Sequence, residues 1–236
     1  GFLFSILLLL TMLGVGGGLY VLYHFGRGLP DYKQLADYNP PTVTRVHAGD
    51  GLLIAEYAVE KRVFVPITAM QKRVINAFLS AEDKNFYSHP GIDFLGAVRA
   101  MVTNLANMGT QRRLKGASTI TQQVAKNFLL TNEVSLERKI KEAILAFRIE
   151  RAFTKDRILE LYLNEIYLGL GSYGVAAAAL NYFNKSLGEL SIAEVAYLAA
   201  LPKAPNNYHP FRYPETARSR RDWVIDRMLD DGHVTL

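Results

Sequence analysis

Two neighbouring acids near the end of a predicted helix are the first residues that could do chemistry. Glu82 and Asp83 are followed by an aromatic pair and then by His89, which begins a His-Pro-Gly turn. Acids at a helix C-terminus oppose the helix dipole, so stability alone does not favour them there. A carboxylate near an apolar cleft can be tuned to exchange protons. The pattern therefore favours a functional carboxylate, with a solvated acidic helix end as the alternative.

A second carboxylate, Glu142, lies beside two cations on a helix predicted from Ser135 to Arg151. At 100° per residue, Arg138 and Lys139 fall on the same side as Glu142, within one turn of each other. This cluster is either a structural ion pair or a carboxylate in a cleft, and the pattern leaves both open. Because the Glu142 side also carries apolar residues, we predict a buried helix. Its opposite face is predicted to be core: Leu136, Ile140, Ala143, Ile144 and Phe147.

Polar side chains also mark one side of the helix predicted to open near Ser118. Thr119, Gln122 and Lys126 share that side, and the other side is apolar. A stripe that only faced water would more often hold Glu and Lys than Thr and Gln. The stripe therefore indicates either hydrogen bonding to a ligand or plain exposure to water.

Composition and charge narrow the classes of protein that these groups could serve. The chain has 236 residues, half of them hydrophobic, and no cysteine, which excludes a disulfide scaffold, a zinc ribbon and a thiol enzyme. Of the net charge of +5, the segment from Gln111 to Arg157 carries 11 Lys or Arg against 5 Asp or Glu. This local excess indicates an anionic partner such as lipid head groups or a phosphorylated substrate. Nucleic acid is not expected, because no nucleic-acid-binding motif is present.

The first 25 residues predict a transmembrane anchor. From Phe2 to Tyr23 there are 22 residues without a charged side chain, and the first formal charge is Arg27. That length suits a bilayer-spanning helix. A cleaved signal peptide is the alternative, but it would have a shorter apolar region and an A-x-A-like site, which is absent.

Beyond the anchor, the chain is predicted to be mainly α. Thr42 to Val65 has β-branched and aromatic residues around a Gly-Asp-Gly turn, which predicts a short β-hairpin. Helical periodicity begins at Pro66. A capping box at Ser191 opens one helix, and Pro214 to Leu229 forms the last. A helix from Asp93 to Met108 is apolar enough either to lie in the bilayer interface or to pack in the core.

Five ordered segments carry a resemblance to a known family. They resemble the five motifs of the peptidoglycan glycosyltransferases, the polymerase domain of class A penicillin-binding proteins, and the hairpin and last helix are most similar to the 1A-like members. The resemblance runs from about Val43 to Met228. The segments are Glu82 to Gly91, Gly116 to Asn127, Arg138 to Glu142, Glu160 to Gly169 and Ala199 to Pro205.

The resemblance implies a lysozyme-like helical domain beside a small membrane-proximal subdomain. It implies a single-pass protein of the bacterial cytoplasmic (inner) membrane, with its catalytic domain on the periplasmic side. The implied substrates are lipid II and a growing glycan chain on undecaprenyl pyrophosphate, which are joined by β-1,4 bonds with inversion. The resemblance also implies that moenomycin inhibits this reaction. The implied partners are the membrane and other cell-wall synthesis proteins. The corresponding division of the chain is an anchor (1–25), a connector and hairpin (26–65), the glycosyltransferase domain (66–212), and a last helix that begins a linker to a transpeptidase domain (213–236).

The resemblance also implies roles for individual residues. Glu82 would be the general base, and Glu142 the second essential carboxylate. Lys126, Arg138 and Lys139 would stabilise the pyrophosphate leaving group. The other implied substrate-binding residues are Asp83, His89, Ser118, Thr119, Gln122, Gln123 and Asn127, of which His89 is expected to fix the loop under Glu82 rather than to react. No cofactor is required and no metal site is assigned, although a divalent cation, magnesium or manganese, is left open.

Two features depart from the family pattern. Many members have an Arg just before the third motif, where this chain has Val134, so a phosphate contact is either lost or supplied by Arg112, Arg113 or Lys115. No S-x-x-K or K-T-G transpeptidase motif is present, as expected of a truncated chain or a monofunctional relative. The segment from Leu105 to Lys115 is predicted to be a flap over the site. A lytic glycan hydrolase and a non-catalytic lipid II-binding scaffold remain as alternative functions.

Overall fold

The computed structural model describes residues 1–38, 44–50, 52–57, 61–107, 116–131, 133 and 135–235, and these are mainly helical, as predicted. The helices are α1 (Phe2–Gly26), α2 (Lys72–Glu82), α3 (Phe94–Ala106), α4 (Ile120–Leu129), α5 (Leu136–Ala152), α6 (Lys155–Glu165), α7 (Val175–Phe183), α8 (Ile192–Ala200) and α9 (Pro214–Asp230). The strands are β1 (Thr44–His47), β2 (Leu53–Tyr57), β3 (Lys61–Arg62) and β4 (Ser172–Tyr173). Several predicted features lie outside the described residues: Gly51, most of the flap, Arg112, Arg113, Lys115 and Val134.

Helix α1 is long and apolar enough to cross a membrane. Its most apolar window has a mean hydropathy of 2.2, and none of its residues is buried against protein. At 1.5 Å per residue it extends about 37 Å, more than the hydrocarbon core of a bilayer. The end of α1 packs against α5, where the Arg148 guanidinium donates to the Gly26 carbonyl at 3.4 Å. The apolar N-terminal helix is therefore confirmed, and it is attached to the helix that carries Glu142.

The predicted β-hairpin is confirmed within the described residues. Strands β1 and β2 pair antiparallel, with Thr44 opposite Tyr57 and a register shift between Val46 and His47. At the turn, the Asp50 carboxylate accepts a hydrogen bond from the Leu52 amide at 3.0 Å. Strand β3 runs parallel to β4 and joins the hairpin region to the helical domain.

The core lies where α2, α4, α6, α7 and α8 pack together. Phe78 on α2 meets Tyr162 on α6 edge to face, with 6.4 Å between ring centroids. Small residues on α7 and α8, such as the fully buried Ala178 and Ala199, let neighbouring helices approach closely. The capping box at Ser191 is confirmed, and α9 packs against α2 and α8. This packing brings the end of α2, one face each of α4 and α5, and α9 around one cleft.

The predicted core face of α5 is wrong. Leu136 is 79% exposed and Phe147 is 41% exposed, whereas the opposite face is buried: Glu142, Leu145, Ala146 and Ile149. The periodicity located an apolar face but could not say what covers it. In a chain with an anchor helix packed beside α5, an exposed apolar face can meet lipid instead of protein.

Helix α3 has an even more exposed apolar surface. Asp93 caps its first turn, with its carboxylate accepting from the Gly96 amide at 2.8 Å, and only Ala100 is buried. The structure therefore excludes core packing, which was one of the two predicted environments. The exposed side chains are Phe94, Leu95, Val98, Met101, Val102 and Leu105.

Candidate active site

A cleft of about 470 Å³ contains most of the residues that the sequence singled out. Its walls are the end of α2, the start and middle of α4, the first half of α5, the loop after α8 and the middle of α9. The predicted site residues that line it are Glu82, Ser118, Gln122, Gln123, Lys126, Lys139 and Glu142. The other lining residues are Ala81, Gly116, Pro202, Lys203, Arg220 and Trp223.

Glu82, the last residue of α2, lines the cleft and is partly buried. The Gln123 side-chain amide donates to its carboxylate at 2.8 Å. Burial raises the pKa of Glu82, while this hydrogen bond and the charges of Arg220 and Lys203 act in the opposite direction. A carboxylate with a raised pKa binds a proton more readily than an ordinary glutamate, which suits a general base.

Asp83 and His89 lie behind the cleft wall rather than in it. The Asp83 carboxylate accepts a hydrogen bond from the amide of Ile120, the first residue of α4, at 2.9 Å. His89 places Nε2 at 2.9 Å from the same carboxylate, and its Nδ1 accepts from the Gly91 amide at 3.2 Å. Because Nδ1 is an acceptor, Nε2 carries the proton and donates to Asp83. The pair thus fixes the start of α4 and the loop beneath Glu82, as expected for His89 but not for Asp83.

The start of α4 is held by a capping box. Thr119 accepts from the Gln122 amide at 3.2 Å, and the Gln122 side chain accepts from the Thr119 amide at 3.0 Å. The Thr119 hydroxyl also donates to the Gly91 carbonyl at 2.6 Å. Thr119 is therefore a buried capping residue of α4, whereas Gln122 both caps the helix and lines the cleft. The T-x-x-Q spacing is a capping signature that was visible in the sequence. Asn127 does not line the cleft.

Glu142 is both an ion-pair partner and a cleft carboxylate, which joins the two alternatives that the sequence left open. Only 1% of its side chain is exposed, and it forms salt bridges with Arg138 and with Lys139, the latter at 2.6 Å. The Lys139 ammonium also donates to the Ser118 hydroxyl at 3.1 Å. Arg138 lies behind this pair, outside the residues that line the cleft. The cluster presents fixed cations to any anion that enters.

Lys126 adds a further cation to the same wall. Burial and the charges of Arg138 and Lys139 lower the pKa of Lys126, and the carboxylates of Glu142 and Glu82 oppose that change. Within the described ranges, no group of three or more His, Asp or Glu side chains is arranged to hold a metal ion. Since the Glu142 oxygens already accept from Arg138 and Lys139, the residues present fit an anion better than a divalent cation.

Sequence reasoning missed the wall formed by Lys203, Arg220 and Trp223. Lys203 lies in the segment that resembles the fifth motif, but it received no role. The guanidinium of Arg220 lies 3.7 Å from the centroid of the Trp223 ring. The available signal was the spacing of three residues between an arginine and the only tryptophan of the chain. An arginine-rich last helix was instead interpreted as the start of a linker.

Comparison with known proteins identifies the family of this chain. The family described as Transglycosylase matches residues 50–229, and the chain belongs to that family. The family resemblance stated from the sequence is therefore confirmed.

Penicillin-binding proteins 1A are among the similar proteins. The chain is 59% identical to that of Rickettsia felis over 99% of this chain and 30% of the relative. It is 48% identical to that of Aquifex aeolicus over 97% of this chain and 32% of the relative. A crystal structure of penicillin-binding protein 1A from Haemophilus influenzae matches at a TM-score of 0.45 and 28% identity, over 84% of this chain and 19% of that one. The chain spans about 30% of the length of these curated relatives.

Proposed function

We propose that this chain is a peptidoglycan glycosyltransferase that polymerises lipid II into β-1,4-linked glycan strands. One observation carries the proposal: a carboxylate with a raised pKa, Glu82, shares a cleft with a cation cluster organised by Glu142. Family membership and the similarity to penicillin-binding proteins 1A support the same activity.

Glu82 acts on the acceptor. As general base it takes the proton from the GlcNAc hydroxyl of lipid II, and the resulting oxygen attacks the anomeric carbon of the donor chain. Attack from the face opposite the leaving group inverts that carbon. Gln123 holds the carboxylate in place through its 2.8 Å hydrogen bond. General-base assistance of this kind contributes roughly 10²–10⁴-fold in rate.

The wall formed by α4 and α5 acts on the donor. As the glycosidic bond breaks, negative charge develops on the pyrophosphate that departs with the undecaprenyl chain. Lys126 and Lys139 face the cleft, where fixed cations stabilise this charge at little reorganisation cost. Glu142, itself paired with Arg138, holds Lys139 in place from behind, and the Ser118 hydroxyl orients its ammonium group.

The membrane supplies the substrate. The apolar helix α1 and the exposed apolar faces of α3 and α5 support a domain that rests on the bilayer. A lipid-tailed substrate can then reach the cleft without leaving the membrane. We place the domain on the periplasmic side of the bacterial cytoplasmic membrane, where lipid II is polymerised. Other cell-wall synthesis proteins are its proposed partners.

The test is polymerisation of labelled lipid II by the full chain in detergent. The wild type is expected to form a ladder of glycan strands, and Glu82→Gln to lower the rate by roughly 10²–10⁴-fold because the amide cannot take a proton. Glu137→Gln is the matched control, since Glu137 is an exposed acid on α5 that pairs with Lys141 outside the cleft.

The outcomes separate the alternative functions. Near-normal polymerisation by a folded Glu82→Gln variant would refute the assignment of the base. Release of soluble muropeptides from purified sacculi, without polymerisation, would identify a lytic hydrolase. Binding of lipid II without any turnover would identify a scaffold.

A further inference from the structure

Helix α9 contributes a cation to the cleft beside the carboxylate that acts as base. Arg220 and Trp223 are three residues apart, so both side chains project from the same side of α9 into the cleft wall. The Arg220 guanidinium stacks on the indole at 3.7 Å from its centroid. Stacking on a rigid ring restricts the long arginine side chain to a narrow range of positions.

The donors of Arg220 are not used up by the protein. Its Nε atom is buried and has no hydrogen-bond partner among the described residues. A buried donor without a partner is costly, and a site that leaves one in a cleft has a position for a ligand oxygen. Burial also lowers the pKa of Arg220, while Glu82 and Tyr208 act in the opposite direction.

The position of Arg220 assigns it to one substrate. The pyrophosphate of the donor belongs with Lys126 and Lys139 on α4 and α5, whereas Glu82 must touch the hydroxyl of the acceptor. Arg220 lines the cleft within electrostatic range of Glu82. The acceptor sugar carries hydroxyl oxygens on either side of its reacting hydroxyl and an amide carbonyl one carbon further along the ring. These oxygens are the hydrogen-bond acceptors that a guanidinium beside Glu82 would meet.

We infer that Arg220, held on Trp223, positions the acceptor saccharide by donating to one of its carbonyl or hydroxyl oxygens. This role rests on the proposed function. It distinguishes the two walls by substrate, with the acceptor at α9 and the donor at α4 and α5.

The effect on Glu82 has a definite sign. Arg220 lowers the pKa of Glu82, so removal of its charge raises that pKa and moves the acidic limb of the rate profile to higher pH. The other groups that act on Glu82 electrostatically stay in place in such a variant: Asp83, Lys126, Tyr162 and Lys203.

The experiment measures acceptor kinetics with the full chain in detergent. A lipid-linked tetrasaccharide is the donor at fixed concentration, and lipid II is varied as acceptor over a range of pH. Arg220→Gln is expected to raise the KM for lipid II about tenfold and to move the acidic limb upward. Arg220→Lys restores the charge but not Nε, so it is expected to restore the acidic limb while the KM stays raised.

Controls make each result decisive. Arg218→Gln changes an exposed arginine on the same helix that does not line this cleft, and it is expected to match the wild type. Thermal melting of each variant identifies loss of folding, in which case Arg220→Lys and Trp223→Phe carry the test. Folded Arg220 variants that match the wild type in both KM and acidic limb overturn the inference and leave the proposed function standing. A wild type that forms no glycan overturns both.

Discussion

The two walls of the cleft hold their charges in different ways. On the α4–α5 wall, a buried carboxylate, Glu142, forms salt bridges with Arg138 and Lys139. At the end of α2, Glu82 accepts its hydrogen bond from the neutral amide of Gln123 on α4, and the charge of Arg220 acts on it through space. Fixed ion pairs suit a wall that must offer a constant positive surface. A carboxylate with a raised pKa suits a wall where a proton changes hands.

After loss of the base itself, the largest effect is expected from removal of the charge on Glu142. Glu142→Gln leaves two cations without their buried partner, which costs about 3 kcal/mol of stability. It also lets Lys139 move, so the polymerisation rate should fall by roughly 10²–10³-fold. Thermal melting and the lipid II assay measure the two effects.

Glu165→Gln is the matched control for this prediction. Glu165 forms a salt bridge with Arg62 and accepts a hydrogen bond from Tyr38, away from the cleft. Its loss should lower stability to a similar degree and leave the rate per folded molecule unchanged. Equal losses of activity in both variants would mean that Glu142 serves only the fold.

The next effect compares single lysines on the two walls. Lys126→Met should lower kcat by roughly 10²-fold, because it removes a cation from the leaving pyrophosphate. Lys203→Met should cost only about fivefold, because it removes a charge that acts on Glu82 through space. Steady-state kinetics with lipid II measure both. A larger loss at Lys203 than at Lys126 would reverse the assignment of donor and acceptor walls.

The pH dependence of kcat/KM is a smaller and directional effect. Because the pKa of Glu82 is raised above its usual 4.5, the acidic limb should lie above that of an ordinary glutamate. Because the pKa of Lys126 lies below its usual 10.5, the fall of kcat/KM on the alkaline side should begin at a lower pH than for an ordinary lysine. Stability from Glu82 is present below the unfolded pKa and is lost as pH rises through the raised folded pKa, so Glu82→Gln should flatten that dependence in thermal melts. An acidic limb at or below pH 4.5 would contradict the assignment.

The sequence predicted one wall better than the other for a physical reason. Lys126 and Glu142, on the α4–α5 wall, lie on amphipathic helices, where residue type and spacing expose an unusual charge directly. Arg220 reaches the cleft only because α9 packs on α2 and α8, and no local pattern records that packing. The hydrogen bond from the Ile120 amide to Asp83 is equally nonlocal, since it joins residues 37 apart in the chain.

Fold prediction likewise succeeded where the signals were local and failed where they depended on packing. Capping residues and periodicity located α8, α9 and the hairpin, because these signals are local. The same periodicity assigned the wrong environment to α5, since an apolar face contacts either core or lipid, and spacing alone does not distinguish them. The helix itself was predicted correctly. The 79% exposure of Leu136 shows that the mistake was to expect protein core over its apolar face.

The smallest expected effect tests the proposed contact of the exposed apolar face of α3 with the bilayer. The chain has no cysteine, so single cysteines can carry an environment-sensitive dye. In liposomes, a dye at Val98→Cys should be shielded from an aqueous quencher. A dye at Ser219→Cys, at an exposed position of α9, should not be shielded. Val98→Asp should slow polymerisation a few-fold in liposomes but not in detergent. One charge placed at the interface weakens the free energy of binding to the membrane by on the order of 1–3 kcal/mol. Equal quenching at both positions would mean that α3 faces water. The cleft would then have to draw its lipid-tailed substrate along the apolar face of α5, beside α1, rather than along α3.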